Sequence, residues 1–277
     1  MMQKSVFAAA LLASFALFPL QAGECAIKNN SRVAFLGDSI TQQGQRREAG
    51  YVNLVIQVLA RNKVNIVPVR AGVSGHKSDQ MLARLERDVI KKKADFLFLS
   101  CGVNDVMHGV KGIKLDQYKK NITEIVEKAQ KANIKVCIMT ATMIREDAGY
   151  AANKTLAAYN DFLRKLAAEK KCLLADTNAA MQSEIAALRK QYPKVKGLLL
   201  TSDGVHMAPA GDMMMARCLL KTVGIPENKI DFEKLQCKAE ITVKVPLSFY
   251  REIYLNGLKN GKGTSDTASQ IGLSVKK

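Results

Sequence analysis

A chain of 277 residues with 48% hydrophobic and 24% charged positions has ordinary globular usage and ample length for one core, which excludes wholesale disorder. Six cysteines are too few for a disulfide scaffold at this length, and none forms a C-x-x-C metal pair. The formal net charge of +17 draws polyanions toward the surface, but no arginine-rich or aromatic-interleaved groove accompanies the lysines, so nucleic acid is not an expected partner. A solvated lysine face accounts for the same excess.

Residues 1–22 carry a lone Lys4 and then the uncharged run "SVFAAALLASFALFPL" before the small-residue exit "QAGE". That pattern predicts a secretory leader cleaved after Ala22. A membrane span would need roughly 20 apolar residues, and a lipid anchor at Cys25 is disfavoured because Glu24 stands where a small residue should precede it. The expected location is therefore secreted or periplasmic, with a mature net charge of +16 once Lys4 is removed.

Past the leader, short apolar runs alternate with segments of helical period. The strand candidates are 32–37, 64–70, 94–102, 135–142 and 172–177, each near-continuously apolar as a parallel strand covered on both faces should be. Between them, Tyr51, Leu54, Val55, Val58 and Leu59 fall on one helical stripe, as do Leu115, Tyr118, Ile122, Ile125 and Ala129, and again Leu156, Tyr159, Leu163 and Leu166. A last helix is predicted from Pro209 to about Thr222. The alternation implies right-handed crossovers and an α/β fold, a central five-stranded parallel sheet with helices on both faces. The chain divides into a leader (1–22), an α/β domain (23–225) and a C-terminal extension (226–277). In the extension "AEITVKVPLSFY" reads as an extra strand, "NGLKNGKGTSDTASQ" has a linker's composition, and the last fifteen or so residues are expected to be mobile. Cys101 and Cys137 read as buried thiols. Cys218 with Cys237 is the first disulfide to expect in an oxidising compartment, other pairings staying open.

Ligands of such a sheet bind beyond the carboxyl ends of its strands. There the chain places Asp38 and Ser39 after the first strand, Gly75 and His76 after the second, and Asn104 and Asp105 after the third, with Asp203 and His206 just before the last helix. Singly these are ordinary: a serine there caps a helix, a glycine makes a turn, an asparagine bonds local backbone. Jointly they supply what ester hydrolysis needs. Ser39 is a nucleophile, His206 a base three positions after an orienting Asp203, and the Ser39 and Gly75 N–H groups with the Asn104 amide are oxyanion donors.

"GDSIT" at 37–41, Gly75 in "VSGHKS", "GVND" at 102–105 and "DGVH" at 203–206 resemble the four ordered blocks of the SGNH, or GDSL-type, esterase and lipase family, in order across 32–224. The resemblance implies a three-layer flavodoxin-like fold, the catalytic and oxyanion roles just given, and no metal or organic cofactor. Ile40 replaces the commoner leucine, a volume-conserving swap. His76 stands where many members carry aspartate; it is either an extra imidazole near the acyl pocket or, the favoured reading, a loop contact. Asp38 and Asp105 read as structural. Tyr150, in the segment after the fourth strand, is a candidate substrate contact by position alone.

The expected function is a secreted, monomeric serine esterase removing short acyl groups, acetyl foremost, from carbohydrate, an acidic polysaccharide being the partner the charge suits. A lipid acylhydrolase of lysophospholipase or thioesterase type is the second reading, with "DMMMA" at 212–216 as its apolar hint against plain core packing. A non-catalytic carbohydrate-binding protein is the third, and an acyltransferase would use the same residues.

Overall fold

In the computed structural model, residues 25–238, 244–259 and 261 are described. The expected leader and the expected mobile tail lie outside them. The first half of the chain gives β1 (Arg32–Gly37), α1 (Ser39–Arg46), α2 (Tyr51–Arg61), β2 (Val67–Gly72), α3 (Ser78–Leu85), β3 (Phe96–Ser100), α4 (Val103–Met107) and α5 (Leu115–Lys131). It continues as β4 (Lys135–Met139), α6 (Ala151–Glu169), β5 (Leu173–Ala175), α7 (Thr177–Gln191) and α8 (Pro209–Thr222). A short antiparallel pair, β6 (Gln236–Lys238) and β7 (Lys244–Pro246), precedes α9 (Leu247–Lys259).

The sheet order is β2-β1-β3-β4-β5, and every neighbouring pair is parallel. Val33–Leu36 and Phe96–Leu99 are buried, and the register partners Phe35 and Phe98 stack with ring centroids 5.2 Å apart. Helices α2, α8 and α7 pack side by side on one face and α3, α5 and α6 on the other. The three helical stripes expected from sequence supply the contacts: Tyr51 to Leu59, Tyr118 to Ala129 and Leu156 to Leu166 are buried, with Leu115 half-buried at its helix end. The strand order reverses between β1 and β3, so a crevice opens at their carboxyl ends.

Several boundaries differ from the sequence expectation. Asn62 and Lys63 cap α2, the latter at φ 63°, and Val64 still bonds back to Leu59, so pairing in β2 starts only at Val67. Pro68 is tolerated because β2 is an edge strand. Strand β4 ends at Met139 because β5 is only three residues long; beyond it, Asn160 serves the backbone of Ala141 in place of a neighbouring strand. Leu247–Tyr250, expected as strand, and Asn256–Lys259, expected as linker, are helical. Tyr254 and Leu258 of that helix are buried in the main core, and the Tyr254 hydroxyl donates to Leu199 O at 3.0 Å. Met214 and Met215 are buried and Met213 half-buried in the same core, so "DMMMA" is packing.

The expected disulfide is corrected too: Cys218 is a free thiol, as are Cys25, Cys101, Cys137 and Cys172. Its position on α8 brings it toward Cys137 of β4 inside the protein, and burial pushes its thiol up to about 11.

If α9 belongs to the core, Leu258→Ala should lower the unfolding free energy by about 2–5 kcal/mol, the usual cost of a buried leucine. Urea denaturation measures it, and an unchanged midpoint would show that the helix contributes nothing to the cooperative unit.

Candidate active site

The first strand ends against a helix with no loop between. Asp38 forms the corner: its Oδ1 accepts the Ile40 N–H at 2.9 Å, capping α1 and fixing Ser39 as the first helical residue. Ser39 is 9% exposed and sits at the β1 end of the crevice. Its N–H, among the first of the helix, has no acceptor among the described residues.

From the far end of the chain comes a small closed loop. Thr201 and Met207 bridge its base, and Ser202 N–H donates to His206 O. Inside it Asp203 Oδ1 accepts the N–H groups of Val205 and His206 at 2.9 and 2.8 Å, leaving Oδ2 to accept from His206 Nδ1 at 2.6 Å. Partial burial works against the charged carboxylate, but the imidazole and those N–H groups outweigh it and hold Asp203 below the ordinary range. An ionised Asp203 fixes the proton on Nδ1, so Nε2 is an acceptor. Ser39 Oγ lies 2.9 Å from it. The three residues, read from two distant sequence blocks, are thus joined in one hydrogen-bonded line.

Gly75 and Asn104 border the same crevice. Gly75 has φ 77°, and a Cβ there would meet nothing within 4 Å. Glycine is therefore required by the turn, not by crowding from neighbouring chain, as expected from sequence. Its N–H has no acceptor among the described residues. Asn104, 5% exposed, spends one amide hydrogen on His76 O at 3.1 Å and accepts on Oδ1 from His108 Nε2 at 3.3 Å. The other amide hydrogen has no acceptor among the described residues. Asp105 faces away: it accepts from Ser78 N–H and from the Cys101 thiol, tying α3 to α4. Burial raises the Asp105 carboxyl, and raises the Cys101 thiol well above its ordinary range, which leaves that sulfur inert.

His76 is engaged as a loop contact. Its Nδ1 accepts from Arg84 Nε at 3.0 Å, and burial together with that cation lowers the imidazole's proton affinity. Tyr150, half-buried at the start of α6, lies beneath the Arg145 guanidinium, 4.6 Å from ring centroid to Cζ. Neither Arg84, Arg145 nor Glu146 was singled out in the sequence. Arg84 reads there as a polar position of an amphipathic helix, yet it is buried and donates to Ala71 O and Gly37 O. No group of three or more His, Cys, Asp or Glu side chains among the described residues is arranged to hold a metal ion. No helix among them is long and apolar enough to cross a membrane.

Comparison with known proteins places this geometry among relatives. The sequence profile of the GDSL-like lipase/acylhydrolase family matches residues 35–213. An acetylxylan esterase from Geobacillus stearothermophilus is 29% identical over 217 residues, spanning 72% of this chain and 96% of that protein. The crystal structure of Axe2, an acetylxylan esterase from the same organism, superposes with a TM-score of 0.63 at 26% identity, covering 73% of this chain and 97% of that one. Axe2 has also been solved as catalytic mutants of a serine, a histidine and an aspartate, the aspartate three positions before the histidine. The uncharacterised lipoprotein YqeF of Bacillus subtilis is 23% identical over 224 residues, 71% of this chain and 90% of that protein.

The corner carboxylate gives a pH test. Burial first, opposed by the Ile40 N–H, pushes Asp38 from an ordinary 3.8 up to about 6. Between those values the folded protein keeps a proton that the unfolded chain has lost, so stability falls as pH rises through that window. Asp38→Asn keeps the cap acceptor and removes the titration. Relative to wild type the variant should gain on the order of 3 kcal/mol between about pH 4 and about pH 7, read from urea midpoints; parallel pH profiles would refute the assignment.

Proposed function

The chain belongs to the GDSL-like lipase/acylhydrolase family and is a carboxylic ester hydrolase, and on that footing we propose that it is an exported esterase removing acetyl groups from carbohydrate through an acyl-serine intermediate. The observation that carries the chemistry is the line from Asp203 Oδ2 through the imidazole to Ser39 Oγ. Ser39 Oγ attacks the ester carbonyl carbon while His206 Nε2 takes its proton, and Asp203 stabilises the imidazolium. The carbonyl oxygen, now negative, is held by the N–H groups of Ser39 and Gly75 and by the uncommitted Asn104 amide hydrogen. Collapse breaks the bond to the alcohol oxygen, which leaves with the proton from His206. Water then repeats the sequence on the acyl-serine, and acetate departs.

The acetyl and carbohydrate parts rest on the acetylxylan esterase relatives, whose catalytic serine, aspartate and histidine are the residue types aligned here. Export rests on the leader-like first 22 residues and is supported by the lipoprotein relative. The basic surface suits an acidic polysaccharide. The longer-chain reading loses its hint, because the methionines of 213–215 pack in the core. A pure binding protein has no use for a base aligned on a hydroxyl.

Ser39→Ala should abolish acetate release from acetylated xylo-oligosaccharides and 4-nitrophenyl acetate with an unchanged melting curve, and wild-type-like turnover would remove the proposal. Asn104→Ala should lower kcat by about 100- to 1000-fold, and a loss confined to KM would take the amide out of the oxyanion site. Assays with and without a sugar acceptor separate hydrolysis from acyl transfer.

A further inference from the structure

Just beyond β4 the backbone takes an unusual course. Arg145 and Glu146 are successive non-glycine residues in the left-handed region, at φ 59° and 51°, a conformation that persists only where the surroundings enforce it. The enforcement is visible. The buried Glu146 carboxylate accepts the N–H groups of Leu199, Leu200 and Thr201 at 2.7, 2.8 and 2.6 Å and the Thr201 hydroxyl at 2.6 Å. Arg145 N–H donates to Gly204 O at 2.6 Å. The turn is thereby fastened to the loop that carries Asp203 and His206.

The Arg145 side chain is exposed. Its stem crosses Gly204, where a Cβ would lie 3.5 Å from Arg145 Cγ and 3.2 Å from its Cα, at a φ of 91°. The guanidinium rests on the Tyr150 ring and has no hydrogen-bond or carboxylate partner among the described residues. A cation is therefore held in place with its donors uncommitted. Its location decides which part of a substrate it meets. In the proposed reaction His206 hands its proton to the departing alcohol, so groups on the His206 loop border the alcohol side, away from the carbonyl oxygen at Gly75 and Asn104.

We propose that Arg145, held over Tyr150, is a subsite for the carboxylate of an acidic sugar on the alcohol portion of the substrate. The planar guanidinium presents paired donors that match a carboxylate, and the ring beneath limits the freedom lost on binding. This inference rests on the carbohydrate-ester reading.

Steady-state kinetics on acetylated xylo-oligosaccharides with and without a glucuronic acid branch, beside 4-nitrophenyl acetate, test it. In Arg145→Gln, which keeps the stem, the KM ratio of acidic to neutral oligosaccharide should rise about three- to tenfold, in line with a partly exposed charge-assisted contact, and its dependence on salt should weaken. Arg145→Lys should recover part of the ratio. If wild type deacetylates both oligosaccharides and the ratio is unmoved in Arg145→Gln, the subsite is overturned and the carbohydrate reading stands. If wild type cleaves the nitrophenyl ester and neither oligosaccharide, both are overturned.

Discussion

The site turns on a 2.9 Å contact between side chains 167 positions apart, Ser39 Oγ and His206 Nε2. Ser39 is placed rigidly, at a strand-to-helix corner with no intervening loop. His206 belongs to a surface loop, so its accuracy has to come from outside. Part comes from the helix that Ser39 itself begins. Arg47, one residue past the end of α1, donates to Met207 O at 2.7 Å and pairs with buried Asp212 of α8 at 2.8 Å. Asp212 also accepts the Tyr51 N–H that opens α2. Ser39 and the His206 loop are thus linked through one helix of eight residues, about 12 Å long. Glu146 holds the loop from its other side.

A comparable arrangement supports the proposed oxyanion side. β1 and β2 end side by side, and a carbonyl oxygen there can accept a second hydrogen bond beside its backbone one, as Gly37 O does while accepting the Val73 N–H at 3.0 Å. The buried Arg84 guanidinium takes Gly37 O and Ala71 O, with Asp88 as its counterion at 3.1 Å. A buried cation without such acceptors would be strongly destabilising; with them, it fixes the exits of two strands and the His76 loop together. The proposed oxyanion donors are thereby preorganised by groups outside the hydrogen-bonded line of Asp203, His206 and Ser39.

The sheet and its crevice were legible because burial on both faces leaves a continuous apolar signature, and β1 and α8 match their expected bounds. Strand ends were less so: where β4 stops depends on the brevity of β5 and on Asn160, neither of which is local to residues 140–142. Helix α9 reads from sequence as strand at its start and linker at its end, because Leu258 sits in a window rich in Gly, Asn and Lys and Tyr254 lies just before it. The four site blocks were legible by residue type and order. Arg84 and Glu146 were not, since a charged residue at a helical or loop position reads as solvated, and only the fold reveals that strand-end carbonyls or loop N–H groups converge on it.

All three histidines of the chain lie along this crevice, and what each does follows from the charge of its neighbour. Asp203, an anion, fixes the proton of His206 on Nδ1 and turns Nε2 toward a hydroxyl. Arg84, a cation, donates to Nδ1 of His76, which places that ring's proton on Nε2 and, with burial, opposes a second one. The Asn104 amide oxygen, uncharged, takes the Nε2–H of His108, which orients the amide hydrogens without changing any charge. The histidine at position 76 is spent on bracing the buried Arg84 guanidinium, so this departure from the family's common residue bears on how the loop is held.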